Sequence, residues 1–220
     1  ALTGSATVTL GVYGGTKRVD YDALFERIMS QVDEQAYLPL ADAVDPEQQS
    51  AMSEIERSIR SPNASPEATE SLINALYQHN RIDNVHRLSA LHVLAASPKV
   101  GDHNLAAQYA TEQEMAAMDL GGPRLQANLA SVDRHRGVLA FLKGQYEIAL
   151  DYFSRAFERQ HTAGNLSNVL ATLIRLGDVG PARELTAQVR QTLTRELVHD
   201  LNGIINQDPD LALLRMEISQ

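Results

Sequence analysis

The sequence has no cysteine and few basic residues, and each shortage excludes a class of function. Without cysteine there are no disulfides, thiolate nucleophiles or cysteine-based zinc sites. The chain has 19 Lys and Arg against 28 Asp and Glu, and no four consecutive residues are basic. A surface that neutralises phosphates is therefore hard to build. We therefore expect no nucleic-acid partner.

Long apolar runs are missing as well. The longest spans residues 138–142, whereas a helix that crosses a bilayer needs roughly 20 apolar residues. Contact with a membrane would need an anchor outside this chain. The first residue is Ala1 rather than Met, so we expect that a leader, an anchor or a tag has been removed. Together with the lack of cysteine, this favours the bacterial periplasm or cell envelope over the cytoplasm.

Residues 1–16 are predicted to form an extended, strand-like arm. Apolar residues alternate with Thr and Gly over residues 7–12, which is the period of a strand, and Gly14-Gly15 ends the pattern. A lone strand is not stable by itself, and we predict no second one. The arm has three alternative interpretations: an edge that pairs with another chain, the remainder of a larger domain, or an ordinary terminus.

Residues 17–220 are predicted to form one all-α domain of antiparallel helical hairpins. Apolar residues recur at three- and four-residue spacing in segments 21–32, 52–59, 72–77, 85–94 and 105–118. Asp45-Pro46-Glu47 and Ser65-Pro66-Glu67 each supply an N-cap, a first-turn proline and an acidic residue. Predicted breaks follow at Asn80-Arg81, 98–102, Gly121-Gly122-Pro123, Gly144, Gly164, 177–181 and Asp208-Pro209.

The segment FLKGQYEIALDYFSRAFE, residues 141–158, is the most informative in the chain. Gly144 allows a sharp reversal between two helices. Six residues of the second helix share one face, which has small residues beside Phe153 where the preceding helix can approach: Tyr146, Ala149, Leu150, Phe153, Ala156 and Phe157. The pattern predicts a tightly packed helical hairpin.

This hairpin resembles a tetratricopeptide repeat, a pair of antiparallel helices of roughly 34 residues. Gly137, Tyr146, Ala149, Phe153 and Ala156 match the small and aromatic positions of the family, while Asp133 and Arg136 stand at its tryptophan and leucine positions. A second copy follows from Gly177 with Val179, Ala182, Leu185 and Val189. The resemblance is clearest over residues 125–195, with repeats at about 130–163 and 164–197, and implies hairpins stacked as a superhelix.

In that family, the first helices of successive repeats line a concave groove that binds a peptide segment. The resemblance places in this groove Ser131, Arg134, Val138, Phe141, Ser167, Asn168, Ala171 and Ile174. Arg134 and Asn168 match two positions of a clamp for a peptide carboxylate, but Val138 stands where the clamp needs an asparagine. The alternative for Arg134 and Arg136 is a pair of arginines that face solvent.

No catalytic or cofactor motif accompanies these repeats. His79, His86, His92 and His103 lack the spacing of a helical metal-ligand pair, and GVYGGTK lacks the end of a phosphate-binding loop. Acidic pairs two residues apart, such as Glu112 and Glu114, point away from each other on a helix. We predict no enzyme, no metal and no cofactor.

The sequence thus predicts a non-enzymatic scaffold or adaptor that binds a protein or peptide partner. One setting is bacterial envelope assembly, as in pilus or secretion machinery; the alternative is the ligand- or peptide-sensing domain of a larger cytosolic regulator. The last helix, behind Asp208, has apolar residues on more than one side: Leu211, Leu213, Leu214, Met216 and Ile218. We expect it to pack under a preceding helix or to form a homodimer contact.

Overall fold

The computed structural model of the chain describes residues 45–192 and 194–217, and within these ranges it is helical, with no strand. The predicted all-α class is thus confirmed for this part of the chain. The predicted arm and the amphipathic segment 21–32 lie outside the described residues. The helices are α1 Pro46–Arg60, α2 Pro66–Gln78, α3 Asn84–Ala96, α4 His103–Leu120, α5 Leu125–Leu142, α6 Tyr146–Arg159, α7 Ala163–Arg175, α8 Val179–Thr192, α9 Arg195–Gln207 and a closing 3₁₀ helix Pro209–Glu217.

Several helices begin where the sequence supplies a side-chain cap. The Asp45 carboxylate accepts from the backbone N–H of Glu47, and the Ser65 hydroxyl accepts from that of Ala68, as predicted. A side-chain acceptor at this position stabilises a helix by about 1 kcal/mol. Other helices are capped in the same way by Asp83, Asp102, Thr162 and Thr194.

The predicted reversals occur at residues with left-handed backbone conformation. Asn80 has a φ of 56° between α2 and α3, Gly144 has 70° between α5 and α6, and Gly177 has 87° between α7 and α8. Glycine adopts this conformation without the steric cost that a Cβ imposes. Gly164 differs from the prediction, since it lies in the first turn of α7 rather than between helices.

The helices pack in chain order. Each contacts the next from α1 to α8, and the α5–α6 and α3–α4 contacts are the most extensive. In addition α1 contacts α3, α3 contacts α5, and α7 contacts α9. Among the described helices, α2, α4, α6 and α8 make no comparable contact with one another. The odd-numbered helices therefore adjoin in two groups, α1 with α3 and α5, and α7 with α9, whereas α5 and α7 make no comparable contact with each other.

The α5–α6 hairpin is held close by Gly137. A Cβ built at this position would lie 2.6 Å from the ring of Phe153, which is well inside contact distance. The five apolar residues that follow Tyr146 on the predicted face of α6 are all buried: Ala149, Leu150, Phe153, Ala156 and Phe157. The predicted buried face of α6 is confirmed from Ala149 to Phe157, and the residue of α5 that Phe153 approaches is Gly137.

Two large apolar clusters lie at opposite ends of the described chain. The C-terminal core joins α5 to the closing 3₁₀ helix and includes Phe157, Leu166, Leu170, Leu173, Leu185 and Leu201. The N-terminal core joins α1 to α3 and includes Ala51, Ile55, Ile73 and Leu91. Between them lies the seam, which we define as the contact of α3 and α4 with α5, where the buried apolar clusters are small.

The chain's last described segment packs against its own domain. Leu211 and Leu214 are completely buried in the C-terminal core, against α7 and α9, whereas Leu213 is 51% exposed. The segment is a 3₁₀ helix, so residues three apart share a face. The first of the two predicted roles, packing under a preceding helix, is therefore observed.

One helix buries a different face from the one its largest apolar residues suggest. Met115 and Met118 of α4 are 56% and 58% exposed. The buried side of α4 consists instead of small residues and one amide: Ala106, Ala110, Gln113 and Ala117. Small side chains let α4 approach its neighbours closely, and Gln113 brings a polar group into the seam.

Candidate interaction surface

The predicted groove residues on α5 form a row along one side of the helix. Ser131, Arg134, Val138 and Phe141 recur every three or four residues, so they share a face. Arg134 is exposed and the other three are half-buried. The Phe141 ring packs edge-on against Tyr146 across the α5–α6 turn, with 5.2 Å between ring centroids. This row presents a cation next to partly exposed apolar surface.

The four groove residues predicted on α7 are less accessible. Ser167 and Ala171 are buried, and the Ser167 hydroxyl donates to the backbone carbonyl of Gly164 at 2.8 Å. Asn168 and Ile174 are half-buried. Ile174 packs at the margin of the C-terminal core, as do Val138 and Phe141, so the two rows border one core. We call Ser131, Arg134, Val138, Phe141, Asn168 and Ile174 the odd-helix face.

Arg134 is the charged group of this face. Its side chain is open to solvent, yet surrounding protein desolvates it and lowers its pKa, an effect that the nearby Glu56 of α1 opposes. Arg134 makes no hydrogen bond with any residue in the described ranges, Asn168 included. Within the described ranges, no acceptor binds the donors of the Arg134 guanidinium.

Two stacked histidines lie beneath the face, in the seam. The rings of His92 on α3 and His135 on α5 are 4.0 Å apart between centroids and inclined by only 15°. Both are buried. His92 Nδ1 donates to the backbone carbonyl of Ala106 at 2.8 Å, and His135 Nδ1 donates to Gln113 Oε1 at 2.9 Å. Because carbonyl oxygens only accept, these contacts place a proton on each Nδ1.

The same network reaches the odd-helix face. The Gln113 amide nitrogen lies 3.4 Å from the Ser131 hydroxyl, to which it donates, and the Ser89 hydroxyl lies 3.5 Å from His135 Nε2. Burial lowers the pKa of His92 and lowers that of His135 well below its usual value, and the Arg134 charge acts in the same direction on both. Both rings are therefore neutral at pH 7.

Sequence reasoning missed this network. Helical spacing over residues 85–94 favours His92 on the apolar side of its helix, but the sequence gives no indication that His135 and Gln113 bind each other, because they are distant in the chain. The available signal was the position of Gln113 among Ala106, Ala110 and Ala117, which recur at helical spacing. An amide in such a series is buried and needs a hydrogen-bond partner.

A second polar cluster lies on the α6 side of α5. Asp133, which is buried, accepts from Arg159 Nε at 2.9 Å and pairs with Arg155 at 3.6 Å. Desolvation raises the pKa of Asp133, and both arginines oppose that rise. Arg136 pairs with Glu114 of α4 at 2.6 Å. Arg136 is thus half-buried in an ion pair, whereas Arg134 faces solvent, so the predicted solvent-facing pair of arginines is observed only for Arg134.

Other features of the described surface offer no chemistry of their own. Shallow depressions of about 440 and 370 Å³ lie on α1 and between α5 and α6, and neither is lined by a residue of the odd-helix face. Across residues 45–192 and 194–217, no group of three or more His, Asp or Glu side chains is placed to hold a metal ion. Over the same ranges, no helix is both long and apolar enough to span a bilayer.

The chain was compared with protein-family models, with curated proteins and with solved structures, and none of them matched. The resemblance to the tetratricopeptide family thus stays a prediction from its motif residues. Function has to be argued from the surface itself.

Proposed function

We propose that the chain is a tetratricopeptide-like interaction module: a non-enzymatic scaffold or adaptor that binds a segment of a partner protein on its odd-helix face. The packing supports this proposal, since α3 contacts both α1 and α5, α7 contacts α9, and the rows on α5 and α7 border one core. The close approach of Gly137 to Phe153 is the packing that the repeat motif requires. Stacked hairpins of this kind offer an extended surface for a partner chain.

Arg134 is the observation that carries the proposal. An exposed guanidinium without a hydrogen bond to any described residue lies one turn from Val138, whose side chain is half-buried, and Phe141 follows on the same side. A segment that combines a carboxylate with apolar side chains complements this surface. The carboxylate would form charge-assisted hydrogen bonds with Arg134, and the apolar groups would cover Val138 and Phe141.

The proposal is tested by affinity capture from source-cell extract, using the intact chain and the double variant Arg134→Glu, Asn168→Ala. The matched control is Arg183→Glu, Gln191→Ala, which makes the same charge reversal and a comparable amide truncation at exposed positions of α8. We expect one or more proteins that the intact chain and the control retain and the first variant loses, with all three chains equally folded by circular dichroism. Equal retention by all three would reject the odd-helix face.

The cellular setting is a further part of the proposal. We propose a role in bacterial envelope assembly, supported by the absence of cysteine. Fractionation of source cells with an antibody to this chain tests it, and the expected result is recovery with the periplasm or envelope. Recovery in the cytosol as part of a larger protein with an effector domain would favour the regulator instead.

A further inference from the structure

The seam between the two apolar cores depends on uncharged histidines. His92 and His135 stack across the α3–α5 contact, and each uses Nδ1 as a donor to an oxygen of α4. One imidazole pair thus ties three helices together. The second nitrogen of His135 is usable only as an acceptor while Ser89 donates to it, so a proton at Nε2 would reverse that hydrogen bond.

The charged groups around the pair offer no counterion. The charge that acts on both rings is Arg134 of α5, and Glu56 of α1 acts on Arg134. On α4, Glu112 accepts from Gln108 and Glu114 accepts from Arg136. On α5, Asp133 binds Arg155 and Arg159. Within the described residues, no carboxylate acts on either ring.

We propose that His92 and His135 hold α3, α4 and α5 in contact only while both rings are neutral, and that protonation of either ring separates these helices. We call this histidine pair the latch. A proton would add a second cation beside Arg134, in a buried site with no carboxylate to compensate. Opening would release the Gln113 hydrogen bonds to His135 and Ser131. Acid would thereby disorganise the odd-helix face, although the latch itself does not depend on what that face binds.

The direction of the pH effect follows from linkage. In the folded chain the pKa of each ring lies below its ordinary value, so the unfolded chain binds more protons over the interval between the two values. The stabilisation is complete above the ordinary pKa of about 6.5 and is lost as the pH falls below it. When the pH falls from 7.5 to 5.0, each ring that stays neutral in the folded chain takes up a proton only in the unfolded chain. This raises the unfolding equilibrium constant by up to about 30-fold for each ring.

The latch is tested by urea unfolding at pH 7.5 and 5.0, which compares the intact chain with the double variant His92→Asn, His135→Asn. Asparagine retains a donor near the Nδ1 position but does not titrate. We expect acidification to raise the unfolding constant of the intact chain at least about 10-fold more than that of the double variant. The controls are His79→Asn, which is exposed, and His161→Asn, whose pKa burial also lowers; both should keep most of the acid effect. An equal acid effect in the intact chain and the double variant would overturn the proposal.

Titration of the histidine ring protons by NMR tests the latch without any substitution at the seam. In the folded chain, the pKa of His92 and that of His135 should both lie below the ordinary histidine value of about 6.5, because both rings are buried. If both seam histidines take up a proton near pH 6.5 without any change in the surrounding amide signals, the proposal is wrong. This result decides the matter even if the double variant fails to fold.

Discussion

The C-terminal core and the seam hold helices together by different means. In the core, side chains such as Leu166, Leu170 and Leu185 are completely buried among apolar neighbours. In the seam, the buried contact of α3 with α5 combines two small apolar clusters with a pair of imidazoles bonded to α4. Apolar burial is indifferent to pH, whereas buried imidazoles stabilise only while they are neutral. The comparison teaches that one helical array can combine a pH-independent part with a pH-dependent contact.

The largest loss of stability should come from removing a buried apolar side chain of the C-terminal core. Leu170→Ala removes a completely buried side chain from α7 and leaves a cavity, which should lower the free energy of unfolding by about 2–5 kcal/mol. The loss should be the same at pH 7.5 and 5.5, because no titratable group is removed. Urea unfolding measures it, and Leu213→Ala, at an exposed position, should change stability by less than about 0.5 kcal/mol. A loss that grows with acid would contradict this description of the core.

A smaller effect should follow from filling the contact between α5 and α6. Gly137→Ala places a methyl group 2.6 Å from the Phe153 ring, and overpacking of this kind costs about 1–3 kcal/mol. Since alanine favours a helix over glycine by about 1 kcal/mol, we expect a net loss of up to about 2 kcal/mol. Thermal and urea unfolding would measure the change.

Gly203→Ala is the matched control, because a Cβ there meets no atom within 4 Å. It should stabilise the chain by up to about 1 kcal/mol. Adding Phe153→Leu to Gly137→Ala should recover part of the loss if the ring is its cause. If Gly137→Ala stabilised the chain, the close contact between position 137 and the Phe153 ring would be contradicted.

An effect of similar size should come from Asp83, which forms a second acid-sensitive contact, separate from the seam. Burial raises the pKa of Asp83, but hydrogen bonds from His86 and Gln48 more than offset this and lower it from 3.8 to about 2. Asp83 therefore stabilises the fold above pH 4, and that contribution is lost as the pH falls toward 2. Asp83→Ala also removes the cap of α3, so we expect a loss of about 1–2 kcal/mol at pH 7.

Urea unfolding at pH 7, 4 and 3 would follow this contribution. The difference between the intact chain and Asp83→Ala should shrink between pH 4 and 3, as the carboxylate becomes protonated. Asp83→Asn keeps a capping oxygen and should lose less at pH 7. A difference that stays the same between pH 4 and 3 would contradict this role of the Asp83 carboxylate.

The local structure was predictable from the sequence, whereas the seam was not. Caps such as Asp45 and reversals such as Gly144 depend on neighbouring residues, and helical spacing found the buried face of α6. Periodicity failed on α4, because hydrophobicity favours Met115 and Met118 over the smaller alanines that α4 buries. Of the groove residues, Ser167 and Ala171 are buried on α7, and spacing alone does not give that depth.

Amide hydrogen exchange at pH 7.5 and 5.0, corrected for the intrinsic exchange rate, tests the comparison most directly. At pH 7.5 we expect the highest protection in α7 and the buried part of α6. At pH 5.0 protection should fall selectively in α3 and α5 around His92 and His135, and that loss should be absent from His92→Asn, His135→Asn. An equal fall in α3, α5 and α7, or no fall in any of them, would contradict the account of an acid-sensitive seam beside a pH-independent core.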